Sequence, residues 1–251
     1  ISIYWNKVYE PDYLKFDDYL SKNLKKKNIS FKICKGNVLN DIDEVKKSDG
    51  TPFKVFTPFW RNAEKYYMEK IPPKEKIIKK CIKKEYYFQN CIEPEEILPK
   101  KHWFKKFENI WQPSEASALK ELRNFIKHNI SNYSEGRNFP NITGTSKLSP
   151  FIKHGQIHVE TIWKECIDAK NKTIGTSKFL AEIGWREFNH SLINHFPHMT
   201  KNNYSKKFDK FPWKKNNKFF NAWKKGLTGY PIVDAGMREL YSTGWMHNRV
   251  R

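Results

Sequence analysis

Cysteine is scarce in this chain of 251 residues, and its few thiols form no metal-binding pattern. Cys34, Cys81, Cys91 and Cys166 make no CxxC pair and have no histidine at a spacing that suits zinc. A disulfide framework and a structural zinc site are therefore not expected. We predict four free thiols in a reducing cytosol, and no bound metal.

Long apolar runs are also missing. No stretch approaches the ~20 residues that a membrane-spanning helix needs. Nothing resembles a secretory signal peptide, although the chain starts with Ile1 rather than Met. We expect a cytoplasmic protein with no membrane partner, and a targeting signal upstream of Ile1 stays an open alternative.

Arginine is rare, with seven residues in a total of 47 Lys and Arg. Acidic residues number 27, so the formal net charge is +20 at pH 7. This excess favours a polyanionic partner such as nucleic acid, and the alternative is plain solubility from solvated helix faces. Because the planar arginine fork binds phosphate or carboxylate in a way that lysine cannot, Arg186, Arg249 and Arg251 are the basic residues of most interest.

The hydrophobic pattern divides the chain into two kinds of structure. Within residues 1–70 it predicts a strand, a helix opened by Pro11 and a second strand, which is typical of an α/β unit with a parallel sheet. This unit is too small for a domain, so we expect neighbouring strands upstream. Prolines scattered among lysines over 71–112 indicate an irregular connector. Residues 113–251 are predicted to be all helical.

The segment GTSKLSPFIKHG at 144–155 has the composition of an anion site. Gly144 permits close backbone approach, hydroxyls and Lys147 offer donors, and Ser149 is predicted to cap a helix that begins at Pro150. Phosphate is the ligand that such groups suit best. The alternative is an ordinary capped helix start.

A helix predicted at 178–197 carries two different sides. At 100° per residue, one broad stripe holds polar and aromatic side chains: Phe179, Glu182, Trp185, Arg186 and Asn189. The opposing side is apolar: Leu180, Ile183, Gly184, Phe188 and Leu192. The apolar side requires burial, so the stripe indicates the lining of a pocket. The alternative is a surface ion pair between residues 182 and 186.

The last part of the chain holds a helix and then a dense polar cluster. Pro231 is predicted to open the helix and Gly244 to end it. The helix is expected to bury four apolar side chains: Val233, Met237, Leu240 and Tyr241. A following helix is predicted to carry Trp245, Asn248 and Arg249 on one face.

Four segments in this order resemble the DNA photolyase/cryptochrome family: KVFTPFWRNA, GTSKLSPFI, EIGWREFNH and TGYPIVDAGMRELYSTGWMHNRVR. The resemblance extends from about Tyr4 to Arg251. It implies the C-terminal part of a Rossmann-like α/β antenna domain at 1–70, an interdomain connector at 71–112 and the N-terminal part of an all-α FAD-binding domain at 113–251. The chain is thus expected to be a fragment truncated at both ends. By itself it is expected to bind FAD poorly or not at all and to be inactive.

The resemblance also implies roles for individual residues. Cofactor-binding residues are expected at these positions: Tyr133, Thr145, Ser146, Lys147, Leu148, Ser149, Phe179, Glu182, Arg186, Asn189, Asn248 and Arg249. Residues expected to be catalytic are Glu182, Trp185 and Asn248, and Arg249 joins them in contacting DNA. Trp213 follows a proline in a polar loop, so we expect it to be partly exposed. It corresponds to the outermost tryptophan of an electron-transfer chain.

The function implied is light-driven repair of cyclobutane pyrimidine dimers by an electron from reduced FAD. Retention of Glu182, Trp185 and Asn248 favours a class I photolyase acting on UV-damaged DNA as a nucleoid-associated monomer. A second antenna chromophore, of folate or deazaflavin type, is possible in the full-length protein. The alternatives are a cryptochrome photoreceptor without repair activity and a basic DNA-binding protein without flavin.

Overall fold

The structure, a computed structural model, describes four ranges of the chain: residues 2–69, 94–97, 103–169 and 173–251. Most of the predicted connector at 71–112 lies outside these ranges, as do Cys81 and Cys91. Cys34 and Cys166 are free thiols, and burial raises the pKa of Cys166 to about 12. Within the four ranges, no helix is long and apolar enough to cross a membrane.

A two-stranded parallel sheet lies near the start of the chain. β1 (Ser2–Asn6) pairs with β2 (Ser30–Cys34), with Ser2 opposite Ser30, and α1 (Pro11–Lys26) connects the two strands. Proline suits the first turn of α1 because its φ is already helical and it has no N–H to leave unpaired. The predicted order of elements and the parallel pairing are confirmed.

The chain then forms α2 (Phe56–Glu69) and the short α3 (Pro94–Ile97), followed by a 3₁₀ turn at Lys105–Phe107. The indole N–H of Trp111 donates to the Thr243 carbonyl at 2.7 Å. This bond attaches the last residues of the predicted connector to the last helix of the chain.

From Glu115 onward, the regular structure in the described ranges is helical, as the sequence predicted. The first five helices are α4 (Glu115–His128), α5 (Tyr133–Gly136), α6 (Ser149–Lys153), α7 (Val159–Asp168) and α8 (Ile174–His195). After 3₁₀ turns at Pro197–Thr200 and Lys206–Lys210 come α9 (Asn217–Lys225) and α10 (Pro231–Thr243).

Two hydrophobic clusters hold these elements together. The larger joins α4, α7 and α8, and Trp163, Leu122, Phe125 and Phe179 are buried within it. The smaller joins α2 to α8 through Val45, Phe53, Phe59, Ala63 and Phe188. Because α8 contributes to both clusters, it fixes the α/β part against the helical part.

The prediction for α10 is partly wrong. Pro231 opens the helix and Gly244 ends it in the left-handed conformation, with φ of 74°, as expected. None of the four apolar side chains is buried, however: Tyr241 is 77% exposed, Leu240 is also exposed, and Val233 and Met237 are only partly buried. The helix meets the turn at residues 246–250 through Gly236, where a Cβ atom would lie 2.2 Å from Val250 Cγ1. A small residue at position 236 therefore allows this contact.

Asn37 anchors the loop after β2 to the helical part. Its side-chain amide donates to the Ile152 carbonyl at 3.0 Å, and its amide oxygen accepts the Val159 N–H at 2.9 Å. The Arg186 guanidinium donates to the Asn37 backbone carbonyl at 2.5 Å. One residue of the loop thus binds three separate segments.

Glu187 anchors the same loop from α8 and was not identified from the sequence. Its buried Oε2 accepts the backbone N–H groups of Leu39 at 3.0 Å and Asn40 at 3.3 Å. Oε1 lies 3.6 Å from Arg186 Nη1, too far for a hydrogen bond. Burial raises the pKa of Glu187 to about 7, against the opposing effects of Arg186, the two backbone bonds and Lys35.

This raised pKa predicts a pH-dependent stability. The carboxyl binds a proton more readily in the folded than in the unfolded protein, where its pKa is 4.5. Its contribution to the free energy of unfolding is therefore largest below that value and falls as pH rises through about 7. We expect the decrease to be at most about 3 kcal/mol.

Urea unfolding at a series of pH values tests this expectation on the wild type and Glu187→Gln. The part of the pH dependence that belongs to residue 187 should disappear in the variant, because an amide does not titrate. Glu121→Gln, at an exposed carboxyl of α4, serves as the control and should keep the wild-type dependence. Parallel curves for the wild type and Glu187→Gln would contradict the assignment.

Candidate functional site

The candidate site is built around α8. Thr173 caps this helix, since its hydroxyl accepts the Thr176 N–H at 3.2 Å in a reciprocal capping box. Four residues of the predicted apolar side are buried and the fifth is packed against the smaller cluster: Leu180, Ile183, Gly184, Phe188 and Leu192. Burial of this side turns Glu182, Trp185 and Arg186 towards the cavities of the protein.

Glu182 forms an ion pair with Arg137, a residue that the sequence did not single out. Arg137 follows the short α5, and its guanidinium also lies 5.4 Å from the ring centre of Tyr133. Arg186 instead donates to the carbonyl of Asn37. The alternative of a surface Glu182–Arg186 pair is therefore not what the structure contains.

The loop at 144–149 packs tightly on α5. A Cβ atom at Gly144 would lie 2.3 Å from the Gly136 carbonyl oxygen, so only glycine fits this approach. Lys147 has a positive φ of 51°, and the Leu148 side chain is buried in the larger cluster. The prediction of Ser149 as helix cap is wrong by one residue, because Leu148 takes the cap position without a side-chain bond.

The last residues form a turn and not the predicted helix. Gly244 reverses the backbone, and the Thr243 hydroxyl accepts the Trp245 N–H at 3.1 Å, which holds the chain away from helical geometry. His247 then closes one turn, since its carbonyl accepts the Val250 N–H at 3.0 Å. Arg249 Nε donates to the side-chain oxygen of Asn138 at 3.0 Å. This bond connects the final turn to the loop that follows α5.

Three cavities meet at Glu182. The core cavity, of about 550 Å³, lies between residues 6–10 and α8 and reaches Tyr133, Ser146 and Phe179. The Trp185 cavity, of about 600 Å³, has these lining residues: Arg137, Glu182, Trp185, Arg186, Asn189, His190, Ile193 and Asn248. The loop cavity, of about 260 Å³, is lined by residues 145–149, by Tyr133, Arg137 and Glu182, and by the final turn.

Most residues predicted for the site therefore lie together, although only as linings of neighbouring cavities. Tyr133, Leu148 and Phe179 are the least exposed of them, because all three side chains belong to the larger hydrophobic cluster, although each has atoms on the wall of a cavity. Trp213 is separate: it is 70% exposed, as predicted, and lies 4.6 Å from Phe211 between ring centres rather than on any of the three cavities.

The charge around these cavities is strongly positive. Four of the seven arginines line at least one of them: Arg137, Arg186, Arg249 and Arg251. Lys147 joins them in the loop cavity, and Nζ of Lys147 lies 5.0 Å from the ring centre of Trp245. The arrangement can bind an anion, because Glu182 is the one acidic side chain among the described residues that line the loop cavity.

Two neutral groups complete the lining. Burial raises the pKa of Tyr133 to about 12, so its phenol remains protonated and can donate a hydrogen bond at neutral pH. Burial lowers the pKa of His190 to about 4, so this imidazole is uncharged at pH 7. His190 was missed because a histidine at this position gives no signal from spacing alone.

In the described part of the chain, no group of three or more His, Cys, Asp or Glu is arranged to hold a metal ion.

Comparison with known proteins gives two family matches. Residues 2–76 match the model described as DNA photolyase, and residues 179–251 match the model described as FAD binding domain of DNA photolyase. The second match contains α8 from Phe179 onward and the final turn, which are two of the walls described above.

Individual relatives agree with these matches. The chain is 36% identical to a deoxyribodipyrimidine photo-lyase of Agrobacterium fabrum over 100% of its own length and 53% of the relative's. It is 31% identical to Cryptochrome-2 of Arabidopsis thaliana over 99% of its length and 43% of the relative's. The crystal structure of a bacterial class III photolyase from Agrobacterium tumefaciens superposes with a TM-score of 0.83, at 36% identity, over 100% of this chain and 52% of that one. The chain spans about half the length of the curated relatives it matches. Its similarity to them over nearly its whole length shows that it belongs to the DNA photolyase/cryptochrome family.

Proposed function

We propose that the full-length protein that carries this chain repairs cyclobutane pyrimidine dimers in UV-damaged DNA in a light-dependent reaction. The observation that carries this proposal is the position of Glu182, which lines three neighbouring cavities and so can contact two ligands at once. Relatives named deoxyribodipyrimidine photo-lyase, at 30–36% identity, support the same activity.

FAD fits the chemistry of the residues present. Hydroxyl, amide and cationic donors surround the loop cavity, and such donors suit a diphosphate. The core cavity has apolar walls from Leu148, Phe179 and Ile183, which suit an aromatic ring system. When bound and reduced, FAD supplies the photoexcited electron that splits the cyclobutane ring and accepts that electron back afterwards.

The residues of the chain then have the following proposed tasks at the flavin. Ser146, Lys147 and Arg249 bind the negatively charged part of the cofactor, with Thr145 and Ser149 as further hydroxyl donors. Arg186 and Asn189 line the route between the flavin and the lesion. Arg137 keeps the Glu182 carboxylate in place by their ion pair.

The Trp185 cavity is the proposed position of the lesion. The indole of Trp185 offers a flat apolar surface for an unstacked base. Extrusion of a damaged base from the duplex costs less free energy than extrusion of an intact one. Glu182 can accept a hydrogen bond from a pyrimidine N–H, and the Asn248 amide can donate to a pyrimidine carbonyl. Lysines and arginines elsewhere on the surface bind the flanking phosphates.

The finer assignments belong to the same proposal. Residues 1–70 are the C-terminal part of a Rossmann-like antenna domain, 71–112 the connector and 113–251 the N-terminal part of an all-α FAD-binding domain. A cytoplasmic, nucleoid-associated monomer remains the expected state. The class I assignment stays a prediction, since the similar crystal structure is that of a class III photolyase.

Repair is tested by the blue-light-dependent loss of dimers from a UV-irradiated oligothymidylate, with FAD reduced beforehand. Glu182→Ala should slow repair about tenfold or more, because a charged hydrogen bond to the substrate is worth roughly 1.5–3 kcal/mol. Its affinity for undamaged DNA should change little. Glu121→Ala, at an exposed carboxylate of α4, should repair at the wild-type rate.

The outcomes separate the candidate functions. A flavin-loaded wild type that leaves the dimers intact is a photoreceptor of the cryptochrome kind, and the repair proposal is then wrong. A protein that binds DNA and takes up no flavin is a basic DNA-binding protein, which would also overturn it.

A second prediction concerns Trp213. If this exposed tryptophan carries electrons from solvent towards the flavin, Trp213→Phe should slow photoreduction of oxidised FAD by about tenfold or more. Absorbance at the flavin bands under blue light, with an external thiol as the electron donor, measures this rate. Repair by flavin that was reduced beforehand should be unaffected. Trp103→Phe, at another exposed tryptophan, is the control, and equal rates in all three proteins would exclude the assignment.

A further inference from the structure

Trp185 has one of its two faces covered by a ring from α2. The ring centres of Phe56 and Trp185 are 3.8 Å apart, and their planes differ by only 8°. The indole is nevertheless 42% exposed and lines the Trp185 cavity. One face is therefore packed against the protein while the rest of the indole remains accessible from the cavity.

Phe56 is held in this position from several directions. Its ring is parallel to that of Trp60, one helical turn later in α2, at an interplanar angle of 8° and a centroid distance of 6.3 Å. The ring of Phe188 makes a T-shaped contact with that of Phe56, with 6.0 Å between ring centres. It makes a second T-shaped contact with Trp185, with 5.9 Å between ring centres. The ring of Phe56 is thus fixed by contacts with both α2 and α8.

Gly184 allows this arrangement to lie so close to α8. A Cβ atom at residue 184 would be 2.2 Å from Cε3 of Trp60, so the tryptophan ring lies directly against the helix backbone. The two helices approach each other here, and Phe56 stacks on Trp185 one helical turn before Trp60. Both rings of α2 belong to KVFTPFWRNA, one of the four segments that carry the family resemblance.

We propose that Phe56 is a positioning residue for Trp185, and that it orients the indole so that its accessible face meets an extruded pyrimidine dimer. This inference rests on the proposed function. An indole fixed beforehand loses little side-chain freedom when a base stacks on it, and this lowers the cost of binding. Phe56 itself has no contact with the dimer in this scheme.

Binding of a fluorescent oligonucleotide with a single thymine dimer, compared with the same oligonucleotide undamaged, tests the proposal in the dark on the full-length, flavin-loaded protein. Phe56→Leu keeps apolar volume and removes the flat ring. We expect the Kd for the damaged oligonucleotide to rise about two- to tenfold, which is the range for loss of one aromatic pair. The Kd for undamaged DNA and the FAD content should not change. Phe56→Tyr keeps the ring and should bind as the wild type does.

Phe53→Leu is the matched control. Phe53 belongs to the same cluster and contacts Phe59, so its loss loosens the cluster without removing the ring beneath Trp185. An equal loss of dimer affinity in Phe53→Leu and Phe56→Leu would overturn the proposal, as would wild-type affinity in Phe56→Leu. If Phe56→Leu does not fold, Phe56→Met replaces it, since flexible methionine fills the space without a ring.

Trp185→Ala separates this inference from the proposed function. If this variant binds the damaged oligonucleotide as tightly as the wild type, Trp185 does not contact the lesion and the proposed site is itself wrong. If Trp185→Ala loses affinity while Phe56→Leu does not, only the positioning role fails. Acrylamide quenching of the Trp185 fluorescence gives a further readout. The Trp185 signal is obtained by subtracting the fluorescence of the same protein with Trp185→Phe. Its quenching should increase in Phe56→Leu because the covered face of the indole becomes accessible.

Discussion

The contact between Trp60 and Gly184 determines how the α/β part meets the helical part. A large flat ring on α2 requires a position without a side chain on α8, and Gly184 provides it. Phe56 lies against Trp185 next to this contact, and the loop after β2 is bound to Glu187, two positions further along the same helix. Aromatic pairs between α2 and α8 add about 0.5–1.5 kcal/mol each beyond the area that they bury. The close approach of the two helices sets where α8, and with it the candidate site, lies against the α/β part.

Two carboxylates on α8 show how environment separates residues of the same type. Glu182 and Glu187 are five positions apart, so they project from different sides of the helix. Glu182 pairs with an arginine at the junction of three cavities, where ligands can reach it. Glu187 is buried and accepts two backbone N–H groups, where no ligand can reach it. The first is suited to binding and the second to holding the loop, and their order in the sequence does not reveal this difference.

The sequence predicted what depends on local pattern. The parallel α/β unit, the helical remainder and the buried side of α8 all follow from periodicity and from proline and glycine at element ends. It did not predict what depends on contacts between distant segments. Arg137 reaches Glu182 across 45 positions and Glu187 reaches Leu39 across 148, and no spacing rule links such residues. The prediction of a final helix was also wrong. The Thr243 hydroxyl accepts the Trp245 N–H and stabilises a turn that the local sequence alone does not indicate.

The cations around the loop cavity have a consequence for stability. Lys147, Arg137, Arg249 and Arg251 line a space of about 260 Å³, and Glu182 is the one acidic side chain among the described residues around it. Like charges around one small space repel one another, and Glu182 is already paired with Arg137. An anionic ligand in the cavity relieves that repulsion in the folded protein and has no comparable site in the unfolded chain. Binding of such a ligand therefore stabilises the fold as well as occupying the site, which couples the two loops that form the cavity to the ligand they bind.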